Sequence, residues 1–152
     1  MATDPKTGQN IFGGSYGVGF NNVGSYQASA RPWVASELVV PASSSDASTA
    51  LEISFPKVTK FVTIRNDGSS SVEEIRIAFA SGGLGTLKHA GSTNNYIKIA
   101  QSSSFSADFR VTKLYLMSND LHTPNATVIA GLTQINASHL SNSWKDEDGV
   151  GD

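Results

Sequence analysis

The 152-residue chain carries 11 basic and 13 acidic side chains, a formal net charge of −2, and is 39% hydrophobic but only 16% charged. Ordinary soluble domains run at about 25% charged, and here Ser, Thr, Asn and Gly stand in for the missing charge. That balance gives no electrostatic ground for a nucleic-acid partner; the lack of cysteine excludes disulfides and thiolate chemistry; and no window approaches the roughly 20 apolar residues of a membrane-spanning helix.

The length suits one domain with a single core, and the chain divides into three stretches. Residues 1–33 form a leader that reads as an extended arm. Gly8, Gly13, Gly14, Gly17, Gly19 and Gly24 are interleaved there with Ile11, Phe12, Tyr16, Phe20 and Val23. Phe12, Tyr16 and Phe20 have helical spacing, but each glycine costs about 1 kcal/mol in a helix, so an extended conformation is expected. Such a strand cannot bury its own rings, which therefore call for pockets on the chain's own body, a sister subunit or a partner lattice. Phe12, Tyr16, Phe20, Tyr26 and Trp33 are the residues expected to make protein–protein contacts. No basic stretch runs into an apolar one at residues 1–6, so no export signal is expected, and Asn125-Ala126-Thr127 and Asn136-Ala137-Ser138 are read as coincidental sequons.

Residues 34–140 switch to a period of two and read as a β-sandwich domain. A first strand over 34–40 is ended by Pro41, and the serine cluster at 43–48 is a loop. Leu51, Ile53 and Phe55 alternate with Glu52 and Ser54 up to Pro56. In the next strand Val58, Val62 and Ile64 share one face and Thr59, Phe61 and Thr63 the other, up to a turn at Asn66-Asp67-Gly68. Ile75, Ile77 and Phe79 then alternate with Glu74, Arg76 and Ala78. The stretch 81–85 is glycine-rich like a phosphate loop, but no Gly-Lys-Ser/Thr and no helix pattern follow it, so it reads as a plain loop. Further strands are expected over 96–100, 104–109 and 111–117, the last with Leu114 and Leu116 opposing Lys113, Tyr115 and Met117. A final strand over 127–135 carries Val128, Ala130 and Leu132 on one side and Ile129, Gly131 and Thr133 on the other. Residues 141–152, with four acids and one base after Trp144, read as a solvated tail.

Seven or eight short strands without an amphipathic helix predict an all-β fold, an antiparallel β-sandwich, because each sheet has one apolar face to hide. A jelly roll and an immunoglobulin-like sandwich both satisfy this pattern.

The chemistry of catalysis is not visible in the pattern. His89, His122 and His139 fall far apart, without the close ligand pair of a metal site. Glu52 and Glu74 lie on polar strand faces, with Glu73 and Asp108 at strand ends, and nothing local raises a carboxylate pKa. No Gly-x-Ser-x-Gly elbow occurs. Lysines and arginines are mixed with Glu52, Asp67, Glu73, Glu74 and Asp108 rather than forming a one-signed footprint. No catalytic residue, metal or cofactor is expected. Carbohydrate stacking on Trp33, Tyr96, Tyr115 or Trp144 is the rival binding chemistry.

The runs 22–33 (NVGSYQASARPW), 53–66 (ISFPKVTKFVTIRN) and 128–135 (VIAGLTQI) resemble structural proteins of marine and cyanobacterial tailed phages, over most of the chain. The resemblance rests on pattern and carries no catalytic motif. It implies a non-enzymatic virion protein, assembled in the host cytoplasm, that decorates or cements the head shell. Its partners would be the major capsid protein or other virion proteins, with a homo-trimer or other homo-oligomer as the working form. A place in the neck, tail or fibre, or a glycan-binding role in host attachment, are the alternatives.

Overall fold

The computed structural model describes residues 30–43, 49–80 and 95–140. Among them are eight strands: β1 (Arg31–Val39), β2 (Leu51–Ser54), β3 (Lys57–Asn66), β4 (Ile75–Ala78), β5 (Ile97–Ile99), β6 (Ser104–Ala107), β7 (Lys113–Ser118) and β8 (Asn125–Asn136), the last followed by a 3-10 turn, Ala137–His139. The strands build two antiparallel four-stranded sheets, in the orders β1-β8-β3-β6 and β2-β7-β4-β5. The all-β sandwich expected from the two-residue period is therefore present.

The strand order also decides its winding. The first strand pairs with the eighth, the second with the seventh, the third with the sixth and the fourth with the fifth. This is one long antiparallel ribbon rolled into two sheets, the jelly roll; an immunoglobulin-like sandwich does not pair its strands this way.

Between the sheets lies one core. Val62, Ile64, Ala126, Val128, Ala130 and Leu132 from the first sheet meet Ile53, Ile75, Ile77, Ile99, Leu114 and Leu116 from the second, all nearly inaccessible to water. Each such valine, leucine or isoleucine side chain contributes roughly 1.5–3 kcal/mol on burial. The alternation that predicted these strands is the cause of the burial, since successive side chains point to opposite faces.

Two irregularities redirect side chains in ways that plain alternation misses. In β3 the register against β8 shifts between Lys57 and Thr59 and again between Thr59 and Phe61. Val58 and Thr59 are consequently both buried, so Thr59 does not share the outer face with Phe61 and Thr63. Its hydroxyl donates to the Phe109 carbonyl at 2.6 Å and accepts from the Val111 amide at 3.0 Å, the partners a buried hydroxyl needs. In β1 the register shifts between Ala35 and Leu38, and Glu37 takes a positive φ of 56°. The bulge sends Leu38 toward the core and leaves Val39 in water. The first strand also starts at Arg31 rather than at residue 34, because Arg31, Pro32 and Trp33 pair with Leu132, Gly131 and Ala130 of the long β8.

The connections gather at two poles. At one pole Val40 N–H donates to the Pro124 carbonyl, Ser118 N–H to Pro41 and Asn119 N–H to Glu74. Asn66, fully buried, holds this pole together. Its side-chain amide donates to the carbonyls of Glu73 at 2.6 Å and Ile99 at 3.2 Å, and its oxygen accepts from Gly68 N–H at 2.9 Å. At the other pole Phe55 N–H donates to Thr112 and Ala137 N–H to Pro56, and the chain enters β1 there.

Candidate interaction surface

The two outer faces of the sandwich differ in chemistry. On β2-β7-β4-β5 most outward positions among the described residues are charged or polar and bond to one another. Glu52 Oε1 accepts from Ser54 Oγ at 2.8 Å and pairs with Lys113 Nζ at 2.7 Å, while Oε2 accepts from the Tyr115 hydroxyl at 3.1 Å. Glu74 Oε2 accepts from Lys98 Nζ at 3.0 Å and Asn119 Nδ2 at 2.8 Å, and Arg76 Nε donates to Asn119 Oδ1 at 2.7 Å. The Arg76 guanidinium lies 5.0 Å from the centre of the Tyr96 ring, a cation–π distance. On the same face Ala78 and Met117 are fully buried in a small cluster apart from the core, with Ala50, Tyr96 and Tyr115 packed against them.

The titration behaviour follows from this network. The Lys113 ammonium and the Ser54 hydroxyl hold the Glu52 carboxyl below the usual range despite partial burial, and the Tyr115 hydroxyl adds to them. Glu52 in turn holds Lys113 up. Burial, then the bond to Glu52, raises the Tyr115 phenol. A carboxyl held low is the opposite of the raised general acid that glycoside hydrolysis needs.

Ser118, Asp120 and His122 come together in the β7–β8 loop in an order unlike a nucleophilic triad. The Ser118 hydroxyl donates to Asp120 Oδ1 at 3.0 Å, and the same oxygen accepts from His122 N–H at 2.8 Å and faces His122 Nδ1 at 3.2 Å. Burial works to raise the Asp120 carboxyl, but the His122 amide, the Ser118 hydroxyl and the His122 ring outweigh it and leave it below the ordinary value. The hydroxyl thus gives its proton to the carboxylate rather than to the imidazole, so this is a loop brace. Glu73 serves likewise, accepting from Ser69 N–H at 2.6 Å and Ser70 N–H at 3.0 Å. Among the described residues no three His, Asp or Glu side chains converge as a metal site.

The outer face of β1-β8-β3-β6 carries an apolar strip where the other carries charge. Val34 of β1 is 60% exposed and stands opposite Ile129 of β8, itself 40% exposed. One row away Pro32 stands opposite Gly131, and Gly131 opposite Phe61. The glycine is required, because a side chain there would run into the Phe61 ring and the Ala30 methyl. Ala30, Pro32, Val34, Phe61 and Ile129 therefore border one another, with Val39, 62% exposed, further along β1. Thr63 and Ser106, sharing a hydrogen bond of 2.8 Å, and the Arg65–Asp67 pair at 2.8 Å rim the strip. At the pole opposite the chain's entry, Val72 and Leu121 are also exposed.

Of the five expected contact residues, Phe12, Tyr16, Phe20 and Tyr26 lie outside the described residues. Trp33 is half-buried on the inner side of β1, its ring edge-on to Phe55 with centroids 5.0 Å apart. It serves the sandwich's own core. Tyr96 and Tyr115 lie partly covered on the charged face, while His89, Trp144 and the loop 81–85 lie outside the described residues. The apolar strip lies outside the leader, on strands whose sequence pattern alone does not bring its residues together. Its signal is present in β8, where Ile129 occupies a position that the alternation reserves for polar side chains. No protein-family model matches the chain, and no curated protein is significantly similar to it.

Proposed function

We propose that this chain is a structural, surface-binding jelly roll that decorates or cements a virion head shell through protein–protein contacts. The observation that carries the reading is the contrast between the two outer faces: one satisfies its polar groups internally, the other leaves an uncharged apolar strip on the edge strand into which the leader runs. A neutral, modest interface of this kind becomes strong by repetition over many copies, which is how a shell protein holds against internal pressure. The major capsid protein or another virion protein is the partner this implies, with a homo-oligomer as the working form; the resemblance to tailed-phage structural proteins supports the same reading.

Deletion of residues 2–29 tests it. The cut spares Ala30, which packs on Gly131, and leaves β1 whole. The shortened chain is expected to keep the far-ultraviolet signature of a β-sandwich and to lose binding to particles in co-sedimentation. Binding equal to that of the full chain refutes the proposal.

A second reading, a glycan-binding module, is favoured by Tyr96 and Tyr115 standing on either side of Ala78 among hydrogen-bonding groups. Retention of an oligosaccharide from a glycan array, lost on Tyr115→Ala, supports it; silence across the array removes it.

A further inference from the structure

We infer that the apolar strip formed by Pro32, Val34, Phe61 and Ile129 is the seat of the leader of a second copy of this chain, which lays a ring of Phe12, Tyr16 or Phe20 on it. The inference rests on the structural reading above and names the surface that would receive the arm.

Three observations lead there. The strip is uncharged and rimmed by side chains already bonded to each other, so an incoming segment displaces little beyond water around Val34 and Ile129. The leader is matched to it in chemistry: residues 7–24 contain no charged side chain, and glycines allow the backbone to lie close to a sheet face. The third is chain direction. At Arg31 the backbone, followed toward the N-terminus, runs away from Val34 and Val39 and alongside the C-terminal half of β8, with Arg31 opposite Leu132. Seating on the chain's own strip would require a full reversal, whereas a neighbour's strip is reached by running on. The 29 residues before Ala30 span up to roughly 95 Å when extended, about three times the length of the nine-residue β1. Such a contact is heterologous, leader of one copy to sheet of the next, and closes into a ring when the rotation allows.

The natural lack of cysteine makes the test direct. One tagged, full-length variant carries cysteine at position 12, 16 or 20; a second, separately tagged, carries Val34→Cys. Mixed and oxidised, they are expected to form the mixed disulfide at least tenfold more than the same leader variants mixed with Lys98→Cys on the opposite sheet. In parallel, Val34→Glu with Ile129→Glu is expected to weaken self-association of the full chain at least tenfold in light scattering. Both positions are exposed, and an unchanged near-ultraviolet spectrum verifies the fold. Mixed disulfide no greater than with Lys98→Cys, or, in a third variant that carries both the leader cysteine and Val34→Cys, cross-linking confined within single chains, overturns the inference. Should particle binding be lost on deleting residues 2–29 while the glutamate pair leaves association intact, the acceptor face is wrong and the structural reading stands.

Discussion

Replacing Asn66 with alanine removes a side chain that bonds three backbone groups at the loop pole. Asn66 is fully buried at the end of β3. It reaches across the sandwich to Ile99 of the other sheet at 3.2 Å, and it holds the Glu73 carbonyl at 2.6 Å and the Gly68 amide at 2.9 Å. Truncation leaves those groups without this partner. An unsatisfied buried polar group costs roughly 1–3 kcal/mol, and water entering the new space recovers part of that, so a total of about 3–5 kcal/mol is expected. That is a large share of the roughly 5–15 kcal/mol that holds a domain together. Guanidinium unfolding followed by tryptophan fluorescence measures it, since the Trp33 ring sits against the core. Asn66→Asp sharpens the test. The new carboxyl still accepts from Gly68 but turns an oxygen toward two carbonyls, so its protonated form is favoured in the folded state. A group whose pKa is raised by folding contributes its stability at low pH and loses it as pH rises through the folded value. The aspartate variant is therefore expected to be at least as damaged as the alanine variant at neutral pH and to recover on acidification. A loss below about 1 kcal/mol for alanine, or no recovery for aspartate, refutes the reasoning.

Gly131→Ala is expected to cost about 1–3 kcal/mol, because a methyl there meets the Phe61 ring and Ala30; full stability in thermal unfolding would show that the ring moves aside freely. On the charged face, Glu52 is held below its ordinary pKa, so its contribution is present above the unfolded value and lost as pH falls through the folded one. Glu52 and Lys113 are more than a third exposed, so screening keeps that contribution below about 1 kcal/mol. Glu52→Gln is accordingly expected to flatten the acid limb of the stability curve only slightly, while lowering the Tyr115 pKa, read by tyrosinate absorbance. A Tyr115 titration unmoved by the substitution would remove the bond between them as a cause.

Strand by strand, most of the sandwich was legible because burial follows a period of two. Leu114 and Leu116, Ile75 and Ile77, and Val128 and Ala130 all face the core as their alternation demands. The departures occur where backbone geometry overrides period. Thr59 turns inward because two register shifts flank it, and Val39 turns outward because a bulge at Glu37 inserts an extra residue into β1. A bulge depends on the partner strand, so nothing in the local pattern announces it. Trp33 shows the same limit at the candidate site. As a large aromatic at the end of a glycine-rich leader it reads as a contact residue, yet its pairing with Ala130 turns it toward Phe55.

Taken alone, the amino-acid order determined that this chain forms short amphipathic strands after a glycine-rich leader that is uncharged from residue 7 to residue 24, because side-chain alternation and glycine's helix cost act within a few residues. Which strands become neighbours, and hence that the winding is a jelly roll, was decided only in three dimensions, by pairings such as β1 with β8 that join residues about a hundred positions apart. The same long-range pairing sets Val34 beside Ile129 and Gly131 beneath Phe61. An exposed apolar strip is a property of two strands side by side, and no single segment contains it.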